Sequence, residues 1–299
     1  MNLLIVGTGA LANLFAARLT RAGHHMAMLG TWREGLDALR KDGVRLVDSD
    51  GREYRFKVQA TADPRECVNA KHAIVLVKAW QTERVAGQLR QCLADDGIAL
   101  TLQNGLGNRE TLARSLGLNR VALGSTTTGA TLLGPGLVKA GGEGIISMER
   151  NQALGPLEEA LQSAKFNVQR VDDPQSLIWG KLVINAAINP LTAILRVKNG
   201  ELLERPFARA LMGALARETA NVANAENIEL PFDDPVAAVE QVAHKTGANN
   251  SSMLQDVLRG APTEIDAICG AVAGAAEKHK IGVPANWVCW HLVKSLESS

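Results

Sequence analysis

The chain has 299 residues, 46% of them apolar, and its 32 Lys and Arg nearly cancel 31 Asp and Glu to a formal charge of +1. That is enough apolar material for two ordinary cores, and with no basic block carrying interleaved aromatics, nucleic acid is not an expected partner. Cys67, Cys92, Cys269 and Cys289 stand far apart with no C-x-x-C, and the six histidines form no H-x-x-x-H, so neither a metal site nor a disulfide framework is expected. The sequence opens on Leu3-Leu-Ile-Val6 without a charged leader, and no apolar run approaches the roughly 18 residues of a membrane helix. A cytoplasmic protein without a membrane partner is therefore expected.

In chain order, the first half alternates short aliphatic runs with helical patterns, the mark of a parallel sheet covered by helices. Strands are expected at Leu3–Val6, His25–Leu29, Ala73–Val77, Ile98–Leu102 and Val121–Gly124. Between the first strand and the first helix lies Gly7-Thr-Gly9-Ala-Leu-Ala12, a G-x-G-x-x-A turn. Gly7 would make the tight turn, and Gly9 would let the backbone approach a pyrophosphate seated on the positive end of the helix. Ala12 replaces the third glycine.

After the second strand come Leu29-Gly-Thr31-Trp-Arg33-Glu34. An acid there would bind a ribose hydroxyl, whereas Thr31 and Arg33 suit a 2′-phosphate, so NADP (NADPH) is expected over NAD. Arg33 could also be a solvated helix-start residue. Lys78 and Asn104 follow later strands, where a doubly wound sheet presents its ligands. Snorkelling and turn-making respectively are their plain alternatives.

The Gly- and Thr-rich stretch from Gly129 to Ser147 reads as hairpin strands closing the sheet. Beyond Asp172-Asp-Pro174 nearly everything has helical period. The expected organisation is thus α/β: a dinucleotide-binding Rossmann-type domain over 1–172 and an all-α substrate and catalytic domain over 173–299. Its first helix places Lys181, Asn185 and Asn189 four residues apart, about 40° of drift per step on one face. That face is either a solvent stripe or a site for a polar, anionic ligand. Thr263 and Asp266 fit an N-cap with an acid three residues on. Glu264 is either an acid favoured by the helix dipole or a carboxylate facing Lys181.

These residues resemble the ketopantoate reductase (2-dehydropantoate 2-reductase) family, from the N-terminus to about Pro284. The strings are Gly7-Thr-Gly9-Ala-Leu11, Leu76-Val-Lys78-Ala-Trp-Gln81, Gln103-Asn104-Gly105, Lys181 to Ala193, Asn199-Gly-Glu201, Ser251 to Asp256 and Thr263 to Asp266. The resemblance implies NADPH-dependent reduction of 2-dehydropantoate to (R)-pantoate, a step towards pantothenate and coenzyme A. It implies Lys181 as general acid and Asn185, Asn189, Asn199, Asn249 and Ser252 as holders of the substrate. Lys78, Asn104 and Glu264 match positions lining the cofactor and reaction centre, and Ala130 a backbone contact to the cofactor. Gly7, Thr8, Gly9, Ala10, Leu11 and Ala12 form the cofactor turn.

Two departures stand out. Thr31 occupies the position where many members carry a phosphate-binding arginine, and Ser125-Thr-Thr-Thr-Gly129 lengthens a loop near the nicotinamide. A relative reducing another 2-keto acid is the alternative. From another class, a non-catalytic NADP-sensing protein would be expected to lose the polar helix face, which is intact here. Apolar helical faces leave room for a homodimer, and Trp287 and Trp290 suit an interface or internal packing.

Overall fold

The computed structural model describes residues 3–48 and 50–297. The chain forms two compact units, Met1–Gln103 with Asn108–Pro174, and Asn104–Gly107 with Gln175–Ser299. The short segment Asn104–Gly107 thus folds with the helical unit, which a single boundary at residue 172 does not provide for.

In the first unit the strands are β1 (Leu3–Val6), β2 (Met26–Leu29), β3 (Val44–Val47), β4 (Glu53–Phe56), β5 (Gln59–Thr61) and β6 (Ala70–Val75). They continue with β7 (Leu93–Thr101), β8 (Val121–Thr126), β9 (Ala130–Gly134), β10 (Leu137–Ala140), β11 (Ile145–Glu149) and β12 (Asn167–Val171). Helices α1 (Ala10–Arg21), α2 (Arg33–Asp42), α3 (Thr82–Cys92), α4 (Asn108–Leu116) and α5 (Gly155–Ser163) lie between them.

Eight strands pair in the order β12-β11-β8-β7-β6-β1-β2-β5, with β11 antiparallel to β8. Alternation explains the apolar runs: Leu3 and Ile5 of β1 join one core with α1 and α5, while Leu4 and Val6 join the other with α3 and α4. A strand buried on both faces has no polar side to show. The strand order reverses at β1, between β2 and β6, so the loops after β1, β2, β6 and β7 share the edge where such sheets bind ligands.

The glycine-rich stretch corrects the sequence reading. Only β11 joins the main sheet; β9 and β10 form a hairpin that joins β3 and β4 in a separate four-stranded sheet, order β4-β3-β10-β9. The parallel pairing of β10 with β3 spans about ninety residues of chain, and local pattern carries no sign of it.

The helical unit contains α6 (Pro174–Leu195), α7 (Glu201–Glu204), α8 (Pro206–Ala225), α9 (Pro235–Lys245), α10 (Ser252–Leu258), α11 (Cys269–His279) and α12 (Pro284–Glu297). Four prolines open helices at their first position, where the missing N–H costs nothing and the ring pre-sets φ. Asp234 and Ser251 cap α9 and α10 by accepting backbone N–H groups.

Helix α6 is the spine of this core, and contrary to the sequence expectation it is long and apolar enough to match a membrane span. The matching stretch is 72% buried within the protein, as in a core helix. It also runs through Pro190 without ending. Pro190 cannot donate to the carbonyl of Ala186, and the Cys269 thiol approaches that oxygen at 3.9 Å as a weak substitute.

Candidate active site

At the end of β1, Gly7 has φ +130° and an added Cβ would lie 3.0 Å from the Leu76 carbonyl, so only glycine fits. Gly9 faces solvent, and a Cβ there would meet nothing within 4 Å. The open space lies over the N-terminus of α1, whose first N–H groups have no partner within the helix. That arrangement fits a pyrophosphate. Asn13, which the sequence reading passed over, fixes the turn: its Nδ2 donates to the Thr8 and Gly9 carbonyls, both at 2.8 Å. Ala10 and Leu11 open the helix, and Ala12 is buried at the strand contact.

Thr31 is exposed just past β2, and Arg33 opens α2 with its side chain 91% exposed and Asp37 at 4.0 Å. So open an ion pair holds the guanidinium only loosely, leaving it able to turn to an anion. Lys78 follows β6, its backbone N–H donating to Gln81 Oε1 at 3.2 Å. Ala130, half-buried, begins β9.

The helical unit gathers the other candidates. Lys181, Asn185 and Asn189 share a face of α6, Asn189 being buried and the other two partly so. Asn104 Nδ2 donates to Glu264 Oε2 at 3.0 Å, and Glu264 is 6% exposed. Protein packed around Lys181 pushes its ammonium from the ordinary 10.5 down to about 8, while the Glu264 carboxylate opposes that shift. Only half of the Thr263–Asp266 capping box forms: Thr263 Oγ1 accepts from the Ile265 N–H at 3.2 Å, but Asp266 does not reach back to the Thr263 N–H. Glu264 itself precedes a single 3-10 turn (Ile265–Ala267), and Asp266 accepts from Trp290 Nε1 at 2.7 Å instead.

Asn199 follows α6 and is held by the segment before α10. Its N–H donates to the Asn249 carbonyl at 3.1 Å and its Nδ2 to Thr246 Oγ1 at 2.9 Å. Since Thr246 gives its own proton to the Val242 carbonyl, it must accept from Asn199, which fixes the amide orientation. Asn199 Oδ1 is thereby left buried and without a partner among the described residues. Gly200 and Gly247 make this crossing possible, since a Cβ on Gly200 would sit 2.8 Å from the Gly247 Cα.

Asn249 and Ser252 are exposed, on either side of the α10 cap. The buried Ser251 shares a 2.7 Å bond with Thr192 of α6, whose hydroxyl also lies 2.9 Å from the Asn189 carbonyl. Thr192 and Ser251 thus tie the Asn189 turn to Ser252. A hydroxyl inside an apolar helical run was the only local signal. Among the described residues no group of three or more His, Cys, Asp or Glu is placed to hold a metal.

Residues 3–152 match the family profile described as Ketopantoate reductase PanE/ApbA, and residues 173–297 its C-terminal counterpart. The chain is 37% identical to a 2-dehydropantoate 2-reductase of Archaeoglobus fulgidus, over 98% of this chain and 97% of the relative. A solved PanE/ApbA family ketopantoate reductase from Ralstonia eutropha superposes with a TM-score of 0.92 at 31% identity, covering 99% and 98% of the two chains. A D-mandelate dehydrogenase solved with NADH and anilino(oxo)acetate superposes with a TM-score of 0.93 at 26% identity, over the same shares. With both halves matched and its relatives covered nearly end to end, the chain belongs to the ketopantoate reductase family.

Proposed function

We propose that the chain is an NADP-dependent 2-dehydropantoate 2-reductase, forming (R)-pantoate for pantothenate and coenzyme A in the cytoplasm. The observation that carries this is the set in the helical unit: Lys181 with a lowered pKa, the Glu264 carboxylate acting on it, and amides on the same helix face. When bound, the reduced nicotinamide supplies a hydride. Gly7, Thr8, Gly9, Ala10, Leu11 and Ala12 would hold its pyrophosphate, Thr31 and Arg33 the 2′-phosphate, with Lys78, Asn104, Ala130 and Glu264 as further contacts.

Reduction of a ketone builds negative charge on its oxygen, and Lys181 Nζ would stabilise that charge and donate the proton. Asn104, Asn185, Asn189, Asn249 and Ser252 would orient the keto acid. Asn199 would join them in holding it. The likeness to a D-mandelate dehydrogenase with NADH supports the second reading, another 2-keto acid or the other nicotinamide.

NADPH and NADH oxidation with 2-dehydropantoate and a panel of 2-keto acids tests both. The expected result is the highest kcat/KM for 2-dehydropantoate with NADPH. A higher value for an unhydroxylated keto acid would overturn the substrate, and one for NADH the cofactor. NADPH binding without turnover on any member would establish the sensing alternative.

The partner we propose is a second copy of this chain. Leu195, Leu211, Trp287, Val288 and Leu292 are each 40–53% exposed and Phe207 is 92% exposed. All but Trp287 line one apolar cavity of about 610 Å³ built from α6, α8 and α12. The five that line it leave on the order of 500 Å² in water, in the upper part of the range for a monomer's largest patch and over half of one side of a standard interface. A protruding ring beside a hollow in one patch is what a two-fold contact requires, each Phe207 filling the other copy's cavity. Sedimentation is expected to give a dimer at micromolar concentration and a monomer for Phe207→Asp. A monomeric wild type would leave the face to some other occupant and overturn the second copy.

A further inference from the structure

Glu264 stands at the start of a single 3-10 turn (Ile265–Ala267), with a loop before it and Ile268 joining it to α11 after it, so its N-terminal flank has no helix to hold it. Buried Ile265 and Ile268 root the turn in the core, and further side-chain anchors on both flanks come from α12. Glu297 Oε1 accepts from the Thr263 N–H at 2.7 Å and from Thr263 Oγ1 at 2.6 Å. On the other side of Glu264, Asp266 accepts from Trp290 Nε1 at 2.7 Å and from Lys294 Nζ at 3.1 Å. Lys294 also pairs with Glu297 Oε2 at 2.8 Å.

Trp290, Lys294 and Glu297 are spaced i, i+4 and i+7, so one face of α12 reaches both flanks of Glu264. The Asp266 side is well exposed and by itself weak, while Glu297 is only 14% exposed in its ion pair. Burial tends to raise the Glu297 carboxyl, but Lys294 and the two Thr263 donors outweigh it and hold it below its ordinary value. It stands as an anion exactly where two donors converge.

We propose that the last two turns of α12 clamp the Glu264 segment and set the carboxylate's position relative to Lys181, with Glu297 as the positioning residue. This rests on the roles given to Lys181 and Glu264 above. The charge acting on Lys181 from the packed elements is Glu264, while Asn185 and Asn189 on its own helix bring amides without charge. Loosening the clamp removes part of the attraction that keeps Lys181 protonated, and its pKa falls further.

The test reads Lys181 directly, by NMR titration of 13C-labelled lysine in the full-length protein, its signal assigned by its loss in Lys181→Ala. Wild type is expected to titrate near 8. In Glu297→Ala the midpoint is expected to fall by about half a pH unit or more, and the alkaline limb of kcat to fall with it, at unchanged melting temperature within a few degrees. Glu297→Gln, which keeps an acceptor for Thr263, is expected to restore most of the shift. In a Glu264→Gln background Glu297→Ala should add nothing, since coupled residues are not additive.

An unmoved midpoint in the folded variants, or a full further shift in the Glu264→Gln background, would overturn the clamp. A midpoint that moves while the kinetic limb stays would uphold the clamp and remove Lys181 as proton donor. Should Glu297→Ala fail to fold, Thr263→Val, which removes the hydroxyl donor to Glu297, is expected to lower the midpoint in the same direction by a smaller amount, and an unmoved midpoint there overturns the clamp.

Discussion

Lys181→Ala is expected to lower kcat by roughly 10²–10⁴-fold while NADPH binding and the helical content stay as they are, since a positioned proton donor contributes about that much. The pH dependence follows from the same group. Its ammonium loses its proton at about 8, so reduction should be flat below that pH and fall about tenfold per unit above it. The limb should vanish in the variant, whose residual rate draws its proton from water. Stability should move the other way. Folding lowers this pKa from 10.5, so the folded state binds the proton more weakly than the unfolded chain. Below pH 8 both states are protonated and the folded state bears the whole cost, on the order of 3 kcal/mol for a shift of this size. The cost shrinks as pH rises from 8 towards 10.5. Lys181→Met should therefore melt several degrees higher at pH 7, measured by calorimetry, with little gain at pH 10. Undiminished turnover in Lys181→Ala would remove it from the mechanism, and an unchanged melting temperature in Lys181→Met would contradict the burial penalty.

What could be read in the sequence is what local spacing encodes. Gly7 and Gly9 are legible because a strand, a glycine turn and a helix follow one another within a few residues. Lys181, Asn185 and Asn189 are legible because a helix repeats every 3.6 residues whatever it packs against. Helix starts at Pro206, Pro235 and Pro284 follow from the ring itself. What stayed hidden depends on partners distant in the chain. Pro190 leaves the Ala186 carbonyl of α6 idle, and the group that approaches that oxygen is Cys269, 83 residues on from Ala186. The Thr263–Asp266 pattern looks like a cap, and Thr263 keeps half of one on the Ile265 N–H, but the other half gives way to α12, where Thr263 bonds to a residue 34 positions away and Asp266 to Trp290. The same holds for β3 and β10, and for Asn104, which sits after a strand but bonds 160 residues along to Glu264. In each case local propensity was outweighed by a tertiary bond that no window of sequence contains.

Gly105→Ala is expected to damage both stability and rate, while Gly107→Ala two residues on should do little. Both glycines have positive φ, +80° and +84°, so each replacement carries the left-handed backbone cost of roughly 1 kcal/mol. Their surroundings differ. A Cβ on Gly107 meets nothing within 4 Å, whereas one on Gly105 would lie 2.4 Å from the Ala267 carbonyl oxygen and 2.7 Å from the Ala267 Cβ. That carbonyl already accepts the Leu106 N–H at 3.0 Å, so it is backbone held in place and cannot swing aside like a side-chain tip. The segment must move off the Ile265–Ala267 turn, and the total loss should reach about 2–4 kcal/mol in urea unfolding. The same movement carries Asn104 away from Glu264, whose bond at 3.0 Å depends on this approach. A displacement of an ångström at reacting groups can cost up to about 10²-fold, so kcat/KM should fall by ten- to a hundredfold in Gly105→Ala and stay near wild type in Gly107→Ala. Equal losses in the two variants would mean that backbone strain alone explains them, and that the contact with Ala267 does not hold Asn104 to Glu264.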